Sequence, residues 1–241
     1  MKKFVLFICL ITCSFALNAK ELDFDDFSTY ATAQNVRPFA KDISGLLGSS
    51  SFTTGRILGW GGFQLSARGV YMPRPNKHNT AFGRNDAGKF MPLIQGEIGL
   101  PFRLDGFIRA TAWDGLTIAG GGLKWGIIKP TEILYTFQPM VIVMAQNGVH
   151  RDFSLTQYSA SLAVSFKTPY VVPYIGGGVD YTRFAVESAD DTSLIGRREF
   201  VTTPKGVVGV NFKLPSYLDL SVAANYNHYG LGAEASLGVR F

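Results

Sequence analysis

The sequence predicts an all-β protein: an antiparallel transmembrane β-barrel of about ten strands (8–12), preceded by a short N-terminal amphipathic helical segment. Three observations carry this expectation. The final residues, Leu231 to Phe241, alternate apolar with small or polar side chains and stop on a phenylalanine. The chain opens with a basic, then apolar, leader. It is 46% hydrophobic, yet beyond the leader no run approaches the roughly eighteen apolar residues of a spanning helix. An exported chain of this kind has to carry its apolar surface on strands.

The leader comprises residues 1–19. Lys2 and Lys3 form the basic region, Phe4 to Leu17 is an apolar run too short for a bilayer anchor, and small residues at Ala16 and Ala19 offer cleavage sites. Leu10-Ile11-Thr12-Cys13 has the outline of a lipoprotein box, with threonine a poor residue before the cysteine. Both cysteines, Cys9 and Cys13, lie in this leader. The mature chain is therefore expected to have no disulfide, thiol nucleophile or cysteine metal site. Losing Lys2 and Lys3 leaves 21 basic against 18 acidic residues, a net charge of +3, too mild a balance to point to nucleic acid.

Residues 20–60 form the N-terminal helical segment. Val36, Phe39, Ala40, Ile43, Leu46 and Leu47 recur at helical spacing, Asn35 is a candidate cap, and Pro38 sits in the first turn. Gly48 and the serines after it are read as the stop, and another turn or two is expected between Phe24 and Ala33. Such a helix either packs on the periplasmic rim or enters the lumen as a plug, anchored by Phe39, Ile43 and Leu46.

Residues 61–241 form the barrel. Alternation places strands at about 61–72, 90–101, 107–113, 116–127, 135–146, 153–166, 173–184, 204–213, 217–226 and 230–241. Every second connection is short and contains a proline and a basic residue: Pro101 to Gly106, Ile128 to Thr131, Lys167 to Pro169, and Lys213 to Pro215. The two longest, 73–89 and 185–203, both fall on the other side, as expected for external loops.

On the apolar face of each strand, Phe63, Phe137, Phe166, Phe212 and Phe241 fall near one end, and Tyr71, Tyr158, Tyr181 and Tyr226 near the other. Two ring girdles separated by aliphatics suit a bilayer. A soluble barrel would turn the same face inward and concentrate its rings at mid-strand. The opposite face carries Arg68, Glu97, Arg109, Lys124, Asp180 and Glu234, together with Gln95, Gln157, Lys205, Asp219 and Arg240. Charges of both signs in a narrow lumen are expected to pair, because an isolated buried charge is costly. Glycines on this face (Gly120, Gly122, Gly176, Gly178, Gly232 and Gly238) remove volume that a ligand or the helix could occupy.

No catalytic residue is assigned. His78, His150 and His228 fall in external loops, and His150 precedes Asp152 and Ser154, yet no nucleophile motif surrounds a serine. No histidine pair has a chelating spacing, so no metal is expected, and no cofactor.

The closing strand resembles that of bacterial outer-membrane barrels, in which a final phenylalanine serves as the assembly signal; here that residue is Phe241. Over residues 1–19 and 61–241 the chain resembles the broad class of small outer-membrane barrels, the OmpA-like and OmpW-like groups among them. The resemblance implies a bacterial outer-membrane location, with membrane lipid, lipopolysaccharide and the barrel assembly machinery as partners. It supplies no functional residue.

The expected role is non-enzymatic: passage of small solutes or hydrophobic compounds through a narrow polar lumen, or a structural role. The alternative is surface adhesion through loops 73–89 and 185–203. Loop 73–89 is basic, with Arg74, Lys77, Arg84 and Lys89 against Asp86, and could meet lipopolysaccharide phosphates. A lipid-modifying enzyme is the least supported reading.

Overall fold

The computed structural model describes residues 24, 26–49, 51–52, 57–82, 88–129, 133–215 and 217–241. The leader and Arg84 lie outside them. Ten strands close into one antiparallel barrel: β1 (Phe63–Met72), β2 (Lys89–Leu100), β3 (Leu104–Trp113), β4 (Leu116–Gly126), β5 (Thr136–Val149), β6 (Phe153–Lys167), β7 (Val171–Val186), β8 (Arg198–Lys213), β9 (Leu218–Asn227) and β10 (Gly230–Arg240). Each strand pairs with its chain neighbours, and β10 closes on β1 from Gln64↔Arg240 to Tyr71↔Ala233. Closure leaves the sheet no outer edge strand. Two helices precede the barrel, α1 (Phe27–Tyr30) and α2 (Val36–Ser49).

The end where β1 starts and β10 finishes is here the terminal end, and the opposite end is the loop end. The two longest connections, after β1 and β7, lie at the loop end. The other loop-end turns are short: residues 150–152, residues 228–229, and the β3–β4 hairpin, which turns on Asp114 and Gly115 alone. Both adopt left-handed backbone, at φ 51° and 73°, which matches the twist of the strands they join.

Strand boundaries differ most at β8, which begins at Arg198 rather than near residue 204. Pro204 invites the later start. In the barrel it sits mid-strand opposite Val179 and faces outward, at a level where β8 has no β9 partner, so its missing N–H costs the ladder nothing. What remains of the 185–203 connection is residues 187–197. It contains a 3₁₀ turn, Thr192–Leu194, whose Leu194 is buried in the mouth of the barrel.

Alternation sorts the two faces. Leu65, Ile94, Ile98, Ile108, Leu123, Val143, Leu162, Ile175, Val179, Val208, Val222 and Leu237 point outward and are exposed. A continuous apolar belt of this kind is costly in water and at home in lipid. The girdle rings lie on the same outward face. Among the described residues no helix is long and apolar enough to cross a membrane.

The interior has two apolar regions. One fills the loop end with Phe24, Phe27, Phe39, Phe82, Phe153 and Phe184, joined by Val70, Met72, Met91, Leu93, Ile118 and others. The other, with Phe52, Phe107, Met140, Ile142, Met144, Tyr174 and Val207, lies further down the wall. The polar lumen residues sit among them.

Candidate functional site in the barrel lumen

α2 lies inside the barrel. Its side chains from Val36 to Ser49 are almost all buried, and its hydrogen-bond partners come from inward-facing residues around the wall. Ser44 Oγ bonds to Thr203 Oγ1 at 2.9 Å and accepts from Thr182 Oγ1 at 2.8 Å. Gln157 Nε2 donates to the Ser44 carbonyl at 2.8 Å. Asn227 Nδ2 donates to Ser49 Oγ at 2.7 Å, and Tyr229 Oη lies 3.0 Å from the same hydroxyl.

The face that meets this wall is Ser44, Gly45, Gly48 and Ser49. Small residues four apart let a helix approach a neighbouring backbone closely. A Cβ built on Gly48 would stand 1.8 Å from Asp180 Oδ2, and one on Gly45 would stand 3.1 Å from Asn227 Cβ. Gly48 therefore belongs to the packing face of α2, rather than acting only as its stop.

A helix leaves its last carbonyls without intrahelical donors and carries a partial negative charge at that end. Two wall cations answer both needs. Arg109 Nη2 donates to the Leu47 carbonyl at 2.8 Å, and Lys205 Nζ donates to the Gly48 carbonyl at 3.0 Å. Lys205 also donates to Ser51 Oγ, Ser159 Oγ and Asp180 Oδ1, at 2.8, 2.7 and 2.8 Å. Arg109 is held from the other side by Gln146 Oε1, at 2.6 and 2.9 Å; Gln146 in turn donates to Gln157.

The second charge cluster is wall to wall. Glu97 accepts from Arg68 Nη2 at 3.1 Å, Gln95 Nε2 at 2.6 Å and Lys124 Nζ at 2.6 Å, with all four residues buried. Residues of β1, β2 and β4, reaching across β3, thus satisfy both oxygens of one carboxylate. Glu234 is buried next to a void of about 10 Å³ lined by Arg68, Tyr174, Ser221 and Phe52. Of the six residues expected to form a polar network, Arg68, Glu97 and Lys124 are joined directly. Asp180 bonds to Lys205, and Arg109 bonds to the helix end.

Two apolar and polar locks hold the loop end. Phe39 of α2 packs within 4.6–5.7 Å, centroid to centroid, of Phe27, Phe82, Phe153 and Phe184. Ile43 and Leu46 are buried in the same cluster. Asp42 Oδ2 accepts from the Asn76 N–H at 2.8 Å and from Asn79 Nδ2 at 2.7 Å, tying α2 to the β1–β2 connection. Burial raises the Asp42 carboxyl to about 6, against the lowering effect of those two hydrogen bonds. Asn35, the candidate cap, instead braces the preceding turn: its Oδ1 accepts from Thr32 N–H and its Nδ2 donates to the Tyr30 carbonyl.

The described chain thus runs the length of the lumen. Phe24 is at the loop end, beside Phe82, His150 and Phe153. Leu58 is at the terminal end, where its N–H donates to Asp105 at 2.7 Å and its carbonyl accepts from Arg240 at 2.9 Å. Gly61 and Gly62 then bond to Gly99 of β2 before β1 begins. Among the described residues the best-formed internal voids are each about 10 Å³, room for one water.

Phe241 exchanges backbone hydrogen bonds with Phe63 at 2.8 and 3.1 Å, and its ring stacks on the Phe63 ring facing outward. Lys89, counted among the basic loop residues, instead points inward. It is buried with its ammonium 5.4 Å from the Phe82 ring. The His150–Asp152–Ser154 sequence does not assemble into a relay. His150 stacks on Phe153 inside the mouth, whereas Ser154 Oγ donates to the exposed Glu187. Among the described residues no cluster of three or more metal-ligating side chains occurs.

Sequence reasoning missed Ser44, Gly45, Ser49, Asn227 and Tyr229. The signal for the first three was the paired small residues at 44/48 and 45/49, visible in the sequence as a helix face.

No protein-family model matches the chain, and no curated protein matches it. The solved structures similar to it are small outer-membrane β-barrels. The N-terminal barrel domain of Pseudomonas aeruginosa OprF is 13% identical, with 76% of this chain and 99% of that one covered, at a TM-score of 0.38. P. aeruginosa OprG is 11% identical over 77% and 99%, at 0.35. Neisserial surface protein A is 17% identical over 74% and 94%, at 0.34.

Proposed function

We propose that this chain is a closed barrel of the bacterial outer membrane, sealed by its own N-terminal segment, and that its role is structural and surface-directed rather than catalytic or conductive. The observation that carries this is α2 in the lumen, with its C-terminal carbonyls capped by Arg109 and Lys205. The voids of about 10 Å³ beside it, each room for one water, support that reading. The two longest connections, after β1 and β7, lie at the loop end, which supports placing that end at the exterior and the terminal end in the periplasm.

Passage would require α2 to leave. At about 1.5–3 kcal/mol for each buried large apolar side chain, withdrawing Phe39, Ile43, Leu46 and Leu47 would cost on the order of 10 kcal/mol. That is the energy of a core, not of a gate. Interaction through the external connections is the second reading. Loop 73–89 keeps Arg74 exposed, though Lys89 is spent inside.

Planar-bilayer recording tests the proposal. The full-length protein is expected to be silent. A variant lacking residues 20–50, shown folded by its heat-modifiable gel mobility, is expected to give discrete conductance. Steady conductance from the full-length protein would refute a sealed barrel.

A further inference from the structure

The outward face of β7 and β8 carries charge where the rest of the belt is apolar. Following β7 upward, the outward residues are Val171, Pro173, Ile175, Gly177, Val179 and Tyr181, then Arg183. Ten residues at about 3.3 Å each, tilted by about 40°, rise about 25 Å, the height of the lipid-facing apolar band of an outer-membrane barrel. Tyr181 therefore marks the upper interface, and Arg183 stands one outward position above it. β8 repeats the pattern. Phe200 stacks on Tyr181 with centroids 6.4 Å apart, and the next outward residue is Arg198.

Register makes the two arginines neighbours. Arg183 is opposite Phe200, and Arg198 is opposite Ala185, so they are diagonal partners on adjacent strands. Diagonal positions lie about 7–8 Å apart, close enough for two like charges to repel. Both side chains are exposed, and neither makes an ion pair among the described residues. The nearby acids are engaged elsewhere or face away. Glu187 accepts from Ser154, Glu199 points inward to Arg197, and Asp191 accepts from Ser193 in the loop.

We propose that Arg183 and Arg198, above the Tyr181–Phe200 ring pair, bind the phosphate of a phosphorylated glycolipid in the outer leaflet. Guanidinium forks suit phosphate oxygens, and the stacked rings beneath them lie at the depth where acyl chains begin. A phosphate between the arginines relieves their mutual repulsion. This rests on the outer-membrane reading above and adds a lipid class and a site to it.

The test uses the full-length protein in detergent micelles with purified bisphosphorylated lipid A, and native mass spectrometry to read the lipid-bound fraction. Arg183→Gln and Arg198→Gln are each expected to weaken binding about 5-fold, and the double variant about 30-fold. Arg74→Gln/Lys77→Gln is expected to bind as the parent does. Dephosphorylated lipid A should bind the parent no better than the intact lipid binds the double variant. Equal binding by parent and double variant, or by the two lipids, would overturn the proposal. So would displacement by millimolar inorganic phosphate, which would mark a site for the soluble anion. Heat-modifiable mobility of each variant checks the barrel separately: a folded barrel without lipid discrimination sinks the lipid site alone.

Discussion

The guanidinium of Arg109 donates to the main-chain carbonyl of Leu47 at 2.8 Å, so a residue of the barrel wall closes the C-terminal end of a helix that the wall encloses. Lys205 does the same for Gly48 one residue later. The lumen cations are thus part of how the plug is held. They do not line an open path.

Lys205 also pairs with Asp180 in a fully enclosed position. Removing one partner of a buried pair leaves an uncompensated charge, at a typical cost of about 3–5 kcal/mol. Lys205→Met is expected to lower the urea midpoint of the protein in lipid vesicles accordingly. Lys205→Met/Asp180→Asn should recover part of the loss, and a cycle with no coupling would contradict the pairing.

Gly48 leaves no space for a side chain, with the Asp180 carboxylate 1.8 Å from where its Cβ would stand. Gly48→Ala is expected to lift the C-terminal turn of α2 away from β7. Trypsin cleavage at Lys41 should then accelerate by an order of magnitude or more, while the strands stay protected. Unchanged cleavage would mean that the helix does not depend on this contact.

The helix and the strands were legible in the sequence because each has a period that one face must satisfy. Val36, Phe39, Ile43 and Leu46 mark a helix, and the alternation from Leu231 to Phe241 marks a strand, whatever lies around them. The meeting of the two was not legible. Gly48 reads equally well as a helix stop and as a close-packing position, and only the placement of Asp180 decides. Lys89 and Pro204 failed for a related reason. Lys89 follows a loop and looks solvated, but its strand turns it onto Phe82. Pro204 looks like a breaker, but its nitrogen points to the side where β8 has run past the end of β9, so no ladder bond is missing.

Asp42 gives the loop-end mouth a pH dependence. Its carboxyl is raised to about 6 by burial, so the folded protein holds this proton more tightly than the unfolded chain does. Its contribution to stability is greatest below about pH 4, falls as pH rises toward about 6, and is flat above that. The difference across that window is about 1–3 kcal/mol. Asp42→Asn should abolish it, as read from the parent-minus-variant thermal midpoints at pH 4 and pH 7. A constant difference between those pH values would contradict it.

On the proposed orientation, residue 34 lies outside the cell. Gln34 is exposed beyond the loop end of α2, and no cysteine follows Cys13. Gln34→Cys is expected to react with a membrane-impermeant maleimide in intact cells. Labelling only after the outer membrane is breached would reverse the orientation.

The most direct test of the sealed barrel is a cysteine pair across the helix–wall contact, Ser44→Cys with Thr203→Cys, whose native hydroxyl oxygens are 2.9 Å apart. In isolated outer membranes under mild oxidation, the pair should form an intramolecular disulfide in nearly all molecules. That disulfide should appear as a reducible mobility shift that neither single variant shows. Two freely alkylated thiols in a folded barrel would place α2 outside the lumen and contradict the account.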